Sequence, residues 1–422
     1  MKNTLRLLIA TAVALLCAGT ARGAGLAILE QSIPGLGRSM AGMTASYDDP
    51  SGLYYNPAAA AWADHPIVMS GIHLLTGRVE FERRSHGECS PGRGSGDIVG
   101  KTLIPNLDLT LPIADTGVNF NMAMSATSGT SVHYHRNWAG RYMAIDNDVA
   151  VVELQPSLSW RVTDEIAIAA GLIVDYCKVK MYQALPTAPY GHDSHMRADG
   201  NDWSFGFTAG AVWRPTDKTT LGLGYRSKSR SNLHMRVKYK HMPEIMGMGN
   251  RVIDWADMSI DMPQAINFGV RQDLTEAWSL MSDIAWTQWS CMKELKMKFD
   301  KGFAGTKVSS DRMKWHDSWR FALGTEYKLN EKWTLRCGSA FDQRVVKQET
   351  DKSCKLPDSH RIWISIGASY QWNEHLRLDA AFCHLFFHRS KIDQINEASG
   401  TRIQGKYHGF TDLASIGLRY DF

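Results

Sequence analysis

The sequence lacks any apolar run of the twenty or so residues that a membrane-spanning helix needs, which excludes a bundle of membrane helices. Cysteine is scarce, seven in 422 residues, and no CxxC spacing suggests a zinc or redox centre. A dominant charge sign is missing as well: 47 Lys and Arg stand against 43 Asp and Glu, a formal net charge of +4. Removing Lys2, Arg6 and Arg22 with the first residues leaves +1, so no global field remains to attract nucleic acid, and none is expected as a partner. Enzymatic signatures are absent too. There is no GxSxG, HExxH, GxxxxGK[ST] or dinucleotide glycine fingerprint, and the 15 His are scattered without metal spacing. Catalytic residues, a metal and a cofactor are therefore not expected. His133 and His135 alternate beside Tyr134 but have no third ligand, and Pro91 to Gly96 reads as a flexible loop.

What is present begins with a leader. Lys2 and Arg6 precede a short apolar run from Leu7 to Leu16, and Ala21-Arg22-Gly23 supplies small residues where a signal peptidase reads. Residues 1–23 are thus expected to be removed before Ala24. Of the six cysteines left, Cys89 and Cys354 fall in loop-like segments open to oxidation, and the other four read as unpaired small side chains.

From about residue 66 the chain settles into long segments of period-two alternation. Phe205, Phe207, Ala209, Ala211 and Trp213 share one face, with Ser204, Gly206, Thr208 and Gly210 on the other. Ile362, Ile364, Ile366, Ala368 and Tyr370 repeat the pattern, with Trp363 interrupting its polar face; Ala414 to Phe422 repeat it again and end on an aromatic, like outer-membrane assembly signals. Tight polar connections such as Thr163-Asp164-Glu165 and Asn330-Glu331-Lys332 alternate with longer polar stretches at 83–100, 128–148, 183–200, 241–256, 301–312, 350–358 and 394–401. About fourteen strands can be counted. Short turns at one rim and long loops at the other predict a transmembrane antiparallel β-barrel over 66–422 in a bacterial outer membrane, dependent on the barrel assembly machinery and bathed in lipid and lipopolysaccharide. Residues 24–65 lack sustained alternation and are rich in small residues, which suits a compact hatch, or plug, in the lumen.

That N-terminal segment carries a resemblance. Gly25 to Ser32, Gly35-Leu36-Gly37-Arg38, Ala41-Gly42, Asp48-Asp49-Pro50 and Asn56-Pro57-Ala58, in this order, resemble the start of mature proteins of the FadL family of outer-membrane long-chain fatty acid transporters. The likeness continues through Trp319 to Thr325, Trp333 to Arg336 and Pro357 to Arg361. It implies a plugged fourteen-stranded barrel that passes long-chain fatty acids or other hydrophobic molecules by diffusion and releases them sideways where the third strand is kinked. A greasy solute favours lateral release, because each methylene that enters hydrocarbon contributes roughly 0.8 kcal/mol.

By position the kink falls at Thr127, Ser128 and Gly129, with the hatch turn Asn56, Pro57 and Ala58 set against the opening. Arg312 and Lys314, and more weakly Lys178 and Lys180, are the candidates for the ligand carboxylate; the two lysines have the alternative of facing solvent beyond the rim. The short stretch at 183–200 leaves other apolar solutes open as substrates. A structural or adhesive barrel without transport is the second reading, and a barrel lipase the third.

Overall fold

The computed structural model describes residues 26–84, 89–114, 116–187, 192–242, 251–303, 306–396 and 399–422; the leader expected over 1–23 lies outside them. Nineteen strand segments form one sheet, and segments that continue along the same line of the wall join into fourteen spans. These are β1 (Ile67–Arg83), β2 (Thr102–Ile113), β3 (Val118–His133), β4 (Asp146–Arg161), β5 (Ile166–Leu185) and β6 (Ser194–Thr216). Four spans in two segments follow: β7 (Thr219–Arg226, Ser229–Lys240), β8 (Arg251–Met262, Ala265–Asp273), β9 (Trp278–Thr287, Glu294–Phe303) and β10 (Thr306–Arg312, Ser318–Lys328). The wall ends with β11 (Trp333–Asp342), β12 (Arg361–Gln371), β13 (Leu376–Phe387, Ser390–Asn396) and β14 (Thr401–Asp421). β14 pairs with β1 from Asp421↔Ile67 to Gly405↔Arg83, closing the barrel so that no long edge strands its N–H and C=O groups in hydrocarbon.

The short turns share one device. Thr163, Thr275, Asn330 and Asn373 each accept, through a side-chain oxygen, the backbone N–H groups two and three residues ahead. This local bonding satisfies donors that a two-strand reversal leaves free and sets the register of each hairpin.

Alternation has two regimes along the long spans. In the lower part of β6 the apolar residues point out and are exposed, Trp203, Phe205, Phe207 and Trp213, while Ser204 and Thr208 are buried inside. Above that band the pattern inverts. On β5 Cys177, Val179 and Met181 are buried inside while Lys178 and Lys180 lie exposed outside; on β7 Leu233, Met235, Val237 and Tyr239 point in, and Arg236 and Lys240 point out. The inversion marks the change of outer solvent from lipid to water. It also explains why several strands outrun their expected limits: β3 continues past 127 to His133, β6 starts at Ser194 rather than 201, β8 at Arg251 rather than 257, and β10 gains Thr306–Arg312. Their outer faces are polar there, so the sequence reads as loop. Cys89 and Cys354 are not oxidised to each other or to the remaining four described cysteines; all six are free, Cys354 buried and Cys89 bonded to the backbone of Gln404.

Candidate functional site

Residues 26–63 touch strands from all round the ring, which places them inside it. Their backbone is irregular, with one four-residue helix, α1 (Ile33–Leu36), capped by the Ser32 side chain, which accepts from the N–H of Gly35 at 2.9 Å. Such a backbone cannot satisfy itself, and the inward polar faces of the strands complete it. Asp283 of β9 accepts the N–H groups of Gly42 and Thr44, Gln155 of β4 donates to the Leu53 carbonyl at 2.7 Å, and Asn106 of β2 donates to the Gln31 carbonyl at 3.2 Å. Arg38 reaches Glu326 of β10 at 3.2 Å, a carboxylate shared with Arg336 of β11 at 2.7 Å. Glycine makes room where the segment runs against the wall: a Cβ on Gly222 or Gly224 of β7 would collide with the Thr44 or Tyr55 carbonyl.

The wall opens beside this segment. β2 and β3 pair only from Ile113↔Val118 to Asn106↔Ser125, whereas β3 stays paired with β4 up to His133↔Asp146. Between Ala126 and Ser128 the β3–β4 register shifts by one residue, and the buried positions change from odd to even numbers across Thr127. From Ala126 upward β3 has left β2. Its freed edge is taken by the N-terminal segment: the Ile28 N–H donates to the Thr127 carbonyl at 2.9 Å, the Gly129 N–H donates to the Leu26 carbonyl at 2.7 Å, and Ala27 bridges Ser128 in antiparallel sense. Gln31 adds a side-chain donation to the Ala126 carbonyl at 2.7 Å. Thr127, Ser128 and Gly129 are all buried at this junction.

Asn56, Pro57 and Ala58 sit elsewhere. The Asn56 amide donates to the Ala211 carbonyl of β6 at 3.0 Å and to the Thr44 carbonyl at 2.8 Å, and its oxygen accepts from the Ala58 N–H at 3.0 Å. The turn is therefore pinned to β6 and β7, and the β2–β3 gap is filled by Leu26 to Ile28 in place of the expected Asn-Pro-Ala turn. No residue type announces this contact, because the bonds between Leu26–Ile28 and β3 are made by backbone.

Above the segment the lumen is apolar and rich in methionine: Met181, Met196, Met235, Met258, Met262 and Met297 pack with Trp289, Trp315 and Leu26. Thioether side chains are flexible and polarisable, so such a lining adapts to varied apolar shapes. Where this region meets the junction, a cavity is bounded by Ala27, Leu29, Thr127 and Ser128 together with Arg226 of β7 and Arg320 of β10. Arg226 pairs with Glu153 and donates to Gln155 at 2.6 Å; Arg320 donates to the Ser39 carbonyl and lies 5.0 Å over the Trp363 ring. Trp363, the aromatic that interrupted the polar face of its strand, is thus a luminal platform. Nearby Glu30 is 1% exposed, and its carboxylate oxygens find no hydrogen-bond partner among the described residues. Burial pushes its pKa up to about 7, against the opposing pull of Arg361 and Arg320.

The four cations expected to meet a ligand carboxylate face the wrong way. Lys178 and Lys180 alternate with buried Cys177, Val179 and Met181, so they lie on the outer wall. Arg312 and Lys314 likewise flank buried Met313 and are exposed; Lys314 bonds Asp351 at 2.9 Å. For the first three the reason is parity, since in an extended strand neighbours of an inward residue point out; Lys314 lies just past the strand segment, with a left-handed φ of 42°. Arg226 and Arg320 are the cations that line this cavity, and the signal for them was their place on the glycine and small-residue face of β7 and β10.

Over residues 14–422 the chain matches the model of the outer membrane protein transport protein family (OMPP1/FadL/TodX). The chain belongs to this family. Among its relatives, a long-chain fatty acid transport protein of Escherichia coli O6:H1 is 26% identical over 421 residues, 92% of each chain. Outer membrane protein P1 of Haemophilus influenzae is 26% identical over 428 residues, covering 91% of this chain and 90% of that one. The crystal structure of a Pseudomonas aeruginosa FadL homologue superposes with a TM-score of 0.84 at 25% identity, over 94% of this chain and 100% of the other. The Ralstonia pickettii toluene transporter TbuX shares the fold, with a TM-score of 0.67 at 17% identity over 92% of this chain and 98% of that one. As a member of the FadL family the chain is an outer-membrane β-barrel.

Proposed function

We propose that the protein takes up long-chain fatty acids or other hydrophobic molecules by diffusion, with residues 24–65 as the hatch and the junction at Thr127, Ser128 and Gly129 as the lateral exit into the bilayer. The observation that carries this reading is the freed edge of β3, stoppered by Leu26 to Ile28 and opening onto a cavity below a methionine-rich lumen. A solute in that lumen is already desolvated, and one short strand separates it from the wall gap. Removing that strand breaks few bonds. Arg226 and Arg320 are the groups placed to meet a carboxylate in the cavity, and the protein carries out no covalent chemistry. The names of its relatives as fatty acid transport proteins support the substrate class.

A crosslink tests the route. Ala27 and Ser128 form a non-hydrogen-bonded antiparallel pair, a geometry in which Cα atoms stand roughly 4.5 Å apart and a disulfide fits. In Ala27→Cys/Ser128→Cys, oxidation should reduce uptake of radiolabelled oleate to the level of cells lacking the protein, and a reductant should restore it. Equal uptake with the crosslink verified by mass would place the route elsewhere.

A further inference from the structure

Outside the lumen, a concentration of positive charge lies on the outer wall of β5, β6 and β7, just above the apolar band. The band ends in an aromatic girdle, where Tyr176 and Trp203 meet with ring centroids 5.0 Å apart. One step higher, the outward residues are Lys178 and Lys180 on β5, Arg197 on β6, and Arg236, Lys238 and Lys240 on β7. Among the described residues the only ion pair any of them makes is that of Arg197 with Asp199 at 4.0 Å. The register sets Asp148 and Asp199 opposite Lys180, and Asp199 opposite Arg236, but higher up it brings like charges together: Arg197 stands directly opposite Lys238, and His195 opposite Lys240. Like charges so placed destabilise a strand pair, and an anion between them would reverse the sign.

A groove of about 400 Å³ crosses this wall, bordered by Arg136, Lys180, Arg197, Lys238 and Lys240, with Asp146 and Asp148 at its β4 edge. The interior cannot account for these cations, because the inward positions here are filled by apolar residues such as Val179, Met235 and Val237. Their height matters. Lys178 and Lys180 lie two and four residues beyond Tyr176, about 7 and 13 Å along the strand, less along the membrane normal because strands tilt by roughly 40°. That is the level of lipid headgroups. The short turns and the carboxyl end, where the Phe422 N–H donates to the Pro66 carbonyl, lie at the opposite rim, so this patch faces the outer leaflet.

We propose that the outer wall of β5 to β7 is a docking site for the phosphorylated glycolipid of the outer leaflet. Its phosphates bridge Arg197, Lys238 and Lys240, and its acyl chains lie on the exposed Leu172, Phe205 and Phe207 below. Guanidinium and ammonium groups suit phosphate oxygens, and the combination of a phosphate rim with an apolar wall selects an amphiphile over a free anion.

The test uses the folded barrel in neutral detergent, titrated with bisphosphorylated lipid A, with the same glycolipid stripped of phosphate, and with inorganic pyrophosphate, binding being read by native mass spectrometry. Arg197→Gln/Lys238→Gln/Lys240→Gln should bind lipid A at least about tenfold more weakly than the unaltered protein, as should the unaltered protein its dephosphorylated form. Lys296→Gln/Lys298→Gln/Lys307→Gln, which removes three exposed charges from β9 and β10, should bind as the unaltered protein does. Heat-dependent gel migration verifies folding, and Lys238→Gln alone, expected to weaken binding about threefold, stands in if the triple variant fails to fold. Equal binding by the patch variant, equal binding of the phosphate-free lipid, or displacement by pyrophosphate at matched concentration would each overturn the proposal.

Discussion

At the scale of single residues, Glu30 is out of balance with its surroundings. A carboxyl buried at 1% exposure without a hydrogen-bond partner among the described residues favours its neutral form, and its pKa of about 7 compares with an ordinary 4.5. The docked state then binds more protons than the undocked state between those two values. Docking of the N-terminal segment should therefore be firmest below about pH 4.5, weaken as the pH rises towards 7, and level off above. Glu30→Gln should remove the dependence. Hydrogen exchange of the Ile28 and Gly129 amides, corrected for the intrinsic pH effect, measures it; equal protection at pH 5 and pH 8 in the unaltered protein would contradict the assignment.

At the scale of elements, the decisive one is β3, which serves two partners in turn. Its lower half completes the wall with β2, and its upper half carries the segment that stoppers the gap. The one-residue bulge at Thr127 makes the exchange possible, because it turns the strand without breaking its ladder to β4. Bulk at the buried Gly129 should disturb that junction. Gly129→Val both fills space and favours extended pairing, so fatty acid uptake should fall at matched surface abundance while uptake of a small hydrophilic solute is unchanged. The rest of the ladder should still close the barrel, since no lipid-facing apolar position is altered.

At the scale of the whole molecule, the change from apolar-out to apolar-in along one continuous strand fixes how the barrel sits. Depth can be read from the cost of a charge. Phe207→Arg, midway between Trp203 and Trp213, should weaken folding into vesicles by about 2–4 kcal/mol, whereas Asn201→Arg, just above the girdle, should cost roughly 0–1 kcal/mol. The fraction folded at each denaturant concentration, read by heat-dependent gel migration, gives both values. Similar costs at the two positions would mean that the girdle does not mark the lipid boundary.

The class of fold was legible in the sequence because period-two alternation records which solvent each face meets, and turn chemistry records where each hairpin reverses. Phe205 to Trp213 and the Thr and Asn turns carried that information locally. The N-terminal segment was legible as different in kind, through the absence of alternation, and the family through its ordered motifs. Which residues share a site is set by how the closed barrel brings distant strands together. Lys178, Lys180, Arg312 and Lys314 were attractive as cations, yet strand parity turns the first three outward and Lys314 is exposed in the link beyond its strand segment, while Arg226 and Arg320 line the luminal cavity. Nor could sequence place Leu26 to Ile28 against Thr127 to Gly129, since that contact is made by backbone amides and carbonyls, which every residue type possesses alike.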